Sequence, residues 1–194
     1  MRVLVLYAHP HEESFCAALH AAVLEGLREA GHTVDDADLY AEDFDPVLSR
    51  DERLAYHDVP DNRVPVAAYV ERLLAAEALV VIAPIWNFGF PAILKGYFDR
   101  VFLPGVSLHL REDGGVAPGL GNIQKLATVT TYGGGRLRAM LAGDPPRKFM
   151  TRVMRATIRP FAKISYLALY GMNTADEAAR KAFLDRVRER MRRF

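Results

Sequence analysis

The chain alternates short, wholly apolar runs with longer segments in which apolar residues recur every three or four positions. Two runs, VLVLYA at 3–8 and ALVVIAP at 78–84, are uninterrupted, which predicts strands buried on both faces. KLATVTT at 125–131 reads as a third buried strand. HTVDDADLY (32–40) reads as a weaker, partly exposed strand, and AKISYLALYGM (162–172) as a further one. Helical spacing fills the gaps. Phe15, Leu19, Ala22, Val23, Leu27 and Ala30 fall on one helical face, with Gly31 at the expected C-cap. Residues 66–76 repeat the pattern. Pro91 stands in the first turn of a helix running to about Phe102, where its missing N–H costs nothing. A basic helix is expected over about 145–159. In the last helix Thr174 and Glu177 have capping-box spacing, and Ala179, Phe183, Leu184, Val187 and Met191 share a face.

Strand and helix alternate throughout, which predicts an α/β architecture. The expected form is a doubly wound, five-stranded parallel sheet in the order 2-1-3-4-5, with right-handed crossovers. One domain is expected over residues 1–194. Two stretches fall outside the alternation. Residues 41–62 form a polar loop with a short helix near SRDERLAY, and residues 103–124, rich in Gly and Pro, form an irregular or hairpin excursion.

In such a sheet, ligands bind beyond the carboxyl ends of the strands where the order reverses. Three loops converge there. HPHEESF, after the first strand, runs into a helix N-terminus near Ser14. Backbone N–H groups of Phe15, Cys16 and Ala17 and the helix dipole suit a phosphate; a plain capped helix is the competing reading. Ser14 caps that helix or donates to the phosphate. Glu12 and Glu13 disfavour an anion unless they point outward. PIWNFGFP, after the 78–84 strand, offers flat apolar faces and backbone polar groups, though aromatic residues more often fill a core. TTYGGG supplies glycines and the hydroxyls of Thr130 and Thr131. A phosphate on one loop and a flat ring between two others together suggest a flavin. No GxGxxG follows the first strand and no GxxxxGK is present, which argues against a dinucleotide Rossmann site and a nucleotide triphosphatase.

Composition narrows the class. Half the residues are hydrophobic (51%) and a quarter charged (25%), as in a globular protein. No apolar run reaches the length of a membrane span. The N-terminus reads as a strand, not a signal peptide, and a cytoplasmic location is expected. A single cysteine, Cys16, excludes an internal disulfide and a multi-cysteine metal site. His11, His20, His32, His57 and His109 lack metal-site spacing, so no metal is expected. Net charge is +1, which points to neither nucleic acid nor membrane. The charge is unevenly spread, however: residues 1–135 carry 10 Lys+Arg against 19 Asp+Glu, and residues 136–194 carry 15 against 5.

AHPHEESF, DLYAEDFDPVLSRDE, PIWNFGFPAILKGYFDRVF and TTYGGG resemble the flavodoxin-like NAD(P)H:quinone oxidoreductase family. That family includes ancillary subunits of bacterial potassium-efflux systems and modulators of drug activity. The resemblance implies a flavodoxin-like fold, a bound FMN or FAD, hydride transfer from NAD(P)H, a quinone-like acceptor, and a homodimer with the site at its interface. By position, His9, Phe15 and Cys16 match the phosphate loop, with Cys16 where asparagine is familiar. Pro84, Ile85, Trp86, Asn87 and Phe88 match the loop along the isoalloxazine, and Phe90 faces the nicotinamide, acceptor or partner copy. Thr130, Thr131, Tyr132 and Gly133 match the pyrimidine side. The mammalian members' tyrosine–histidine proton relay has no counterpart: no tyrosine lies between Tyr132 and Tyr166, and no histidine follows His109. Tyr132, Arg136 or solvent is left to meet developing charge. Two alternatives stand beside the enzyme: a regulatory flavoprotein subunit of a membrane transport system, and an electron-carrying flavodoxin.

Within 147–159, Lys148, Arg152, Arg155 and Arg159, with Lys163 beyond, are spaced to make one stripe on a continuous helix. The stripe is either a solvated face balancing the acidic first half or a surface for an anion: cofactor phosphate, acidic partner or membrane.

Overall fold

The computed structural model describes residues 1–111 and 113–194. In chain order it contains β1 (Arg2–Tyr7), α1 (Phe15–Glu29), β2 (Thr33–Asp38), α2 (Arg50–Leu54), α3 (Ala67–Ala75), β3 (Ala78–Ile85), α4 (Ala92–Val101), β4 (Leu108–Leu110) and β5 (Val116–Pro118). Then follow β6 (Lys125–Tyr132), α5 (Arg136–Leu141), α6 (Pro145–Lys148), β7 (Lys163–Tyr170) and α7 (Glu177–Arg192). Five strands form one parallel sheet in the order β2-β1-β3-β6-β7. This is the expected order once the β4–β5 hairpin of the 103–124 excursion is set aside.

The apolar runs explain the layering. Successive strand residues point to opposite faces, so an unbroken run feeds two cores. Leu4, Leu6, Leu79 and Val81 pack with Val70 and Leu73 of α3 and Leu94, Tyr97 and Val101 of α4. Val3, Val5, Val80 and Ile82 pack with Leu19, Val23 and Leu27 of α1 and Phe183, Val187 and Met191 of α7. The polar loop before α3 is anchored by charge. Arg100 of α4, 8% exposed, donates to Glu52 Oε1 at 2.6 Å and to the Asp45 carbonyl.

Two expectations about helices are corrected. The cap of α7 is Asp176, whose carboxylate accepts from the Ala179 N–H at 2.7 Å. Thr174 instead donates to the Gly171 carbonyl within a short 3₁₀ turn. The basic segment is not one helix. It passes from a single α turn (α6) to a π turn over Phe149–Val153 and then a 3₁₀ turn over Met154–Ala156. Inward-facing Met150, Met154 and Ile158 are fully buried in the core shared with α3 and α4.

Candidate functional site

A cleft of about 600 Å³ opens at the carboxyl ends of β1, β3 and β6. It gathers His9, Ser14, Phe15 and Cys16 from the first loop, Pro84, Ile85, Trp86 and Asn87 from the second, and Thr131 and Gly133 from the third.

The first wall is the start of α1. Ser14 has the extended backbone of an N-cap, and its Oγ accepts from the Ala17 N–H at 3.1 Å. That takes one of the amides expected to be free. Among the described residues the N–H groups of Phe15 and Cys16 have no acceptor, and they sit at the positive end of a 15-residue helix. His9 Nδ1 lies 3.0 Å from the His11 N–H and 3.2 Å from the His11 carbonyl, so the first loop folds back on this ring nitrogen. Burial holds the His9 pKa below its ordinary value. Burial also pushes the Cys16 thiol up to about 12. What Cys16 offers the cleft is therefore its backbone N–H, not a thiolate. Glu12 and Glu13 are exposed and do not line the cleft.

The second wall is a tight reversal. The Trp86 and Gly89 backbones exchange hydrogen bonds of 3.0 and 2.8 Å around Asn87 (φ 48°) and Phe88 (φ 58°). Positive φ at both central residues makes a type I′ turn. Asparagine accepts that conformation readily. Phenylalanine does so at a cost of about 1–3 kcal/mol, strain of the kind concentrated at functional sites. The turn holds Trp86 and Phe88 at 43% and 47% exposure, far from the core fate common for such rings. Trp86 meets His9 edge-on at 5.7 Å.

The third wall divides the expected residues. Thr131 and Gly133 face the cleft. Thr130 does not: it is fully buried and its hydroxyl donates to the Ala83 carbonyl at 2.6 Å. A Cβ on Gly133 would stand 3.1 Å from the Asn173 carboxamide, so glycine lets Asn173 approach. Met172 and Asn173, which sequence reasoning missed, complete the lining from the turn after β7. The signal for them was GMNT directly after the last strand, opened by Gly171 at φ 74°.

Phe88 and Tyr132 border an adjoining hollow of about 210 Å³, which shares Ile85, Asn87 and Gly133 with the cleft. The Tyr132 hydroxyl is committed elsewhere. It donates to Asp144 Oδ1 at 2.6 Å and accepts from Tyr166 at 2.6 Å, while its ring stacks on Tyr170 at 4.5 Å. Burial first, then the bond to Asp144, raises its pKa far above the phenol range. Arg136, the other candidate for developing charge, opens α5 and lines a separate concavity. Phe90 packs inward against Phe98 and Phe149, at 6.0 Å from each ring. His109 lies exposed in β4, outside the cleft.

A family model described as flavodoxin-like fold matches residues 1–193. The rat NAD(P)H dehydrogenase [quinone] 1 is 31% identical over 72% of this chain and 56% of its own length. An FMN-dependent NADH:quinone oxidoreductase 2 of Bacillus licheniformis is 30% identical, covering 69% of this chain and 70% of that protein. The solved NAD(P)H:quinone oxidoreductase of Methanothermobacter marburgensis superposes with a TM-score of 0.82 at 29% identity, over 99% and 96% of the two chains. The chain spans about half the length of several curated relatives it matches.

Proposed function

The chain belongs to the flavodoxin-like-fold family, and on that premise we propose that it is a flavin-dependent oxidoreductase taking hydride from NAD(P)H to a quinone-like acceptor, with FMN in the cleft. One observation carries the reading. Phe15 and Cys16, whose amides are unclaimed, and Trp86 and Asn87 of the exposed turn line a single cleft. Its volume lies within the range of small-molecule and cofactor sites.

The residues fit such a nucleotide. A phosphate dianion would take the N–H groups of Phe15 and Cys16 and the helix dipole, with the His9 ring beside it in the same lining. The flat faces of Trp86, Pro84 and Ile85 suit a planar ring, and Asn87, Thr131 and Asn173 supply donors and acceptors for its polar edge. When bound, the flavin supplies the two-electron chemistry. The protein's part is then position and field. His9 and Cys16 are the only titratable side chains in the described lining, and Cys16 stays protonated. The alternative of a regulatory or carrier flavoprotein would use the same cleft, but its open, apolar mouth better suits an exchanging planar acceptor. FMN is supported by the FMN dependence of the Bacillus relative and by a phosphate cradle of two amides.

The same reading includes a homodimer: a second copy would cover the apolar surface that Trp86 and Phe88 leave at the mouth. Light scattering of the purified chain gives two copies if so and one if not. The site itself is tested by identifying what denaturation releases. FMN in equimolar amount is the expected result, and a protein that neither carries nor takes up a flavin overturns the reading. Among the described residues no helix is long and apolar enough to cross a membrane.

A further inference from the structure

Across α5 from the hollow beside the cleft lies a second concavity of about 330 Å³. Four cations line it: Arg136 from α5, Arg147 and Lys148 from α6, and Arg152 from the π turn. Among the described residues none of the four is ion-paired. The carboxylate in the wall, Asp144, accepts from Tyr132 at 2.6 Å and from Tyr170 at 3.5 Å, so it is turned toward tyrosines. Like charges gathered in a concavity repel one another and focus a positive field outward. The Arg147 guanidinium lies over the Tyr166 ring at 5.3 Å, which positions it without consuming its charge. Gly143 (φ +82°) supplies the left-handed bend between α5 and α6.

The backbone that assembles this cluster is unusual. A regular α-helix would align Lys148, Arg152, Arg155 and Arg159. The π turn over Phe149–Val153 widens the coil instead, so Arg147 and Arg152, five residues apart, join Lys148 on one wall. Arg155 and Arg159 are left outside. Single π turns are rare and concentrate at functional sites.

We infer that this pocket binds a phosphate monoester, supplied by the 2′-phosphate of NADPH; the inference rests on the oxidoreductase reading above. Arginine forks match phosphate oxygens in pairs, and lysine adds a point charge. The route is short. The Tyr132 ring walls the hollow beside the cleft, and its hydroxyl ends on Asp144 in the basic pocket. One tyrosine side chain separates the two, well within the reach of an extended dinucleotide.

The test uses the holoprotein and its R147Q/R152Q variant, with R136Q as a second variant. Calorimetry measures binding of adenosine 2′,5′-diphosphate, 5′-AMP and inorganic phosphate, and kinetics give KM for NADPH and NADH. The wild type is expected to bind adenosine 2′,5′-diphosphate about tenfold or more tighter than 5′-AMP, the worth of one or two charged hydrogen bonds. The double variant loses that preference, and its KM for NADPH rises by a similar factor while that for NADH stays put. Equal binding of the two adenosine nucleotides by the wild type overturns the inference, as does a preference that survives in both variants. Inorganic phosphate binding as tightly as the diphosphate, with NADPH and NADH used alike, also overturns it and assigns the pocket to free phosphate. A protein with no flavin and no NAD(P)H oxidation sinks the oxidoreductase reading separately, because the calorimetry still reports on the pocket.

Discussion

Two groups of cations occupy this molecule on different terms. In the first half, Arg100 is almost fully buried and locked to Glu52, and Arg72 is held by Asp35 and Glu42 at 2.8 Å each. Arg136, Arg147, Lys148 and Arg152 converge on a pocket with no carboxylate paired to them among the described residues. Paired cations fasten loops to the helices, whereas unpaired cations that share a wall leave a concentrated positive field. The start of α1 adds a third case, in which the proposed phosphate site would rest on backbone amides and a dipole with no cation.

The contrast breaks most sharply at Arg100. Arg100→Ala leaves the Glu52 carboxylate, 13% exposed, without its partner and unpins the 41–62 loop from α4. A loss of about 3 kcal/mol in denaturant unfolding is expected. A change below about 0.5 kcal/mol would show that this pair is not structural.

At the amide site, Phe15→Pro and Phe15→Ala remove the same ring, and only the proline removes the N–H. The position is the first of the helix and follows an extended Ser14, so proline is tolerated there. Flavin affinity should fall about tenfold or more further in the proline variant. Equal affinities would mean that the amide holds no phosphate.

Acid sharpens the paired set. Burial works against ionisation of Asp35 and Glu52. Hydrogen bonds from Arg2 and Arg72 to Asp35, and from Ser49 and Arg100 to Glu52, nevertheless hold both carboxyls below their ordinary values. Folded pKa values lower than unfolded ones mean that the stabilisation is complete above the ordinary carboxylate range. It is lost as pH falls through that range toward the folded values. The wild-type melting temperature should therefore drop more steeply on acidification than that of Glu52→Gln. Parallel curves would contradict the assignment.

The smallest effect is expected where the cations are unpaired. The R147Q/R152Q variant should unfold within about 0.5 kcal/mol of the wild type. A large loss would move these residues into the structural class.

Much of this was legible in the residues. The unbroken runs at 3–8 and 78–84 named two buried strands because burial on both faces leaves little room for polar alternation, while the 125–131 strand buries Thr128 and Thr130 among its apolar residues. Ser14 announced its helix, and Gly31, at φ 75°, the end of it. Pro91, too, proved to stand at the entry to its helix, as the N-cap of α4. What stayed hidden depends on tertiary context. Thr130 and Thr131 are neighbours of one type, yet one hydroxyl is spent on Ala83 and the other residue faces the cleft. The Tyr132–Asp144–Tyr166 cluster joins residues far apart in sequence. The π turn left no sign in the sequence, because Met150, Met154 and Ile158 keep the four-residue spacing of an ordinary helix. Asp176 displaced Thr174 as cap because the chain turns at Gly171 and starts its helix two residues later than the capping-box spacing implied.

The proposed flavin under the Trp86 turn, reduced by a nicotinamide nucleotide, is read out by anaerobic addition of NADPH to the purified protein, followed in visible absorption. The bands of an oxidised flavin are expected, bleached by NADPH and restored when a quinone such as menadione is added. A colourless protein that takes up no added FMN, or a bound flavin that NADPH and NADH both leave oxidised, would contradict it.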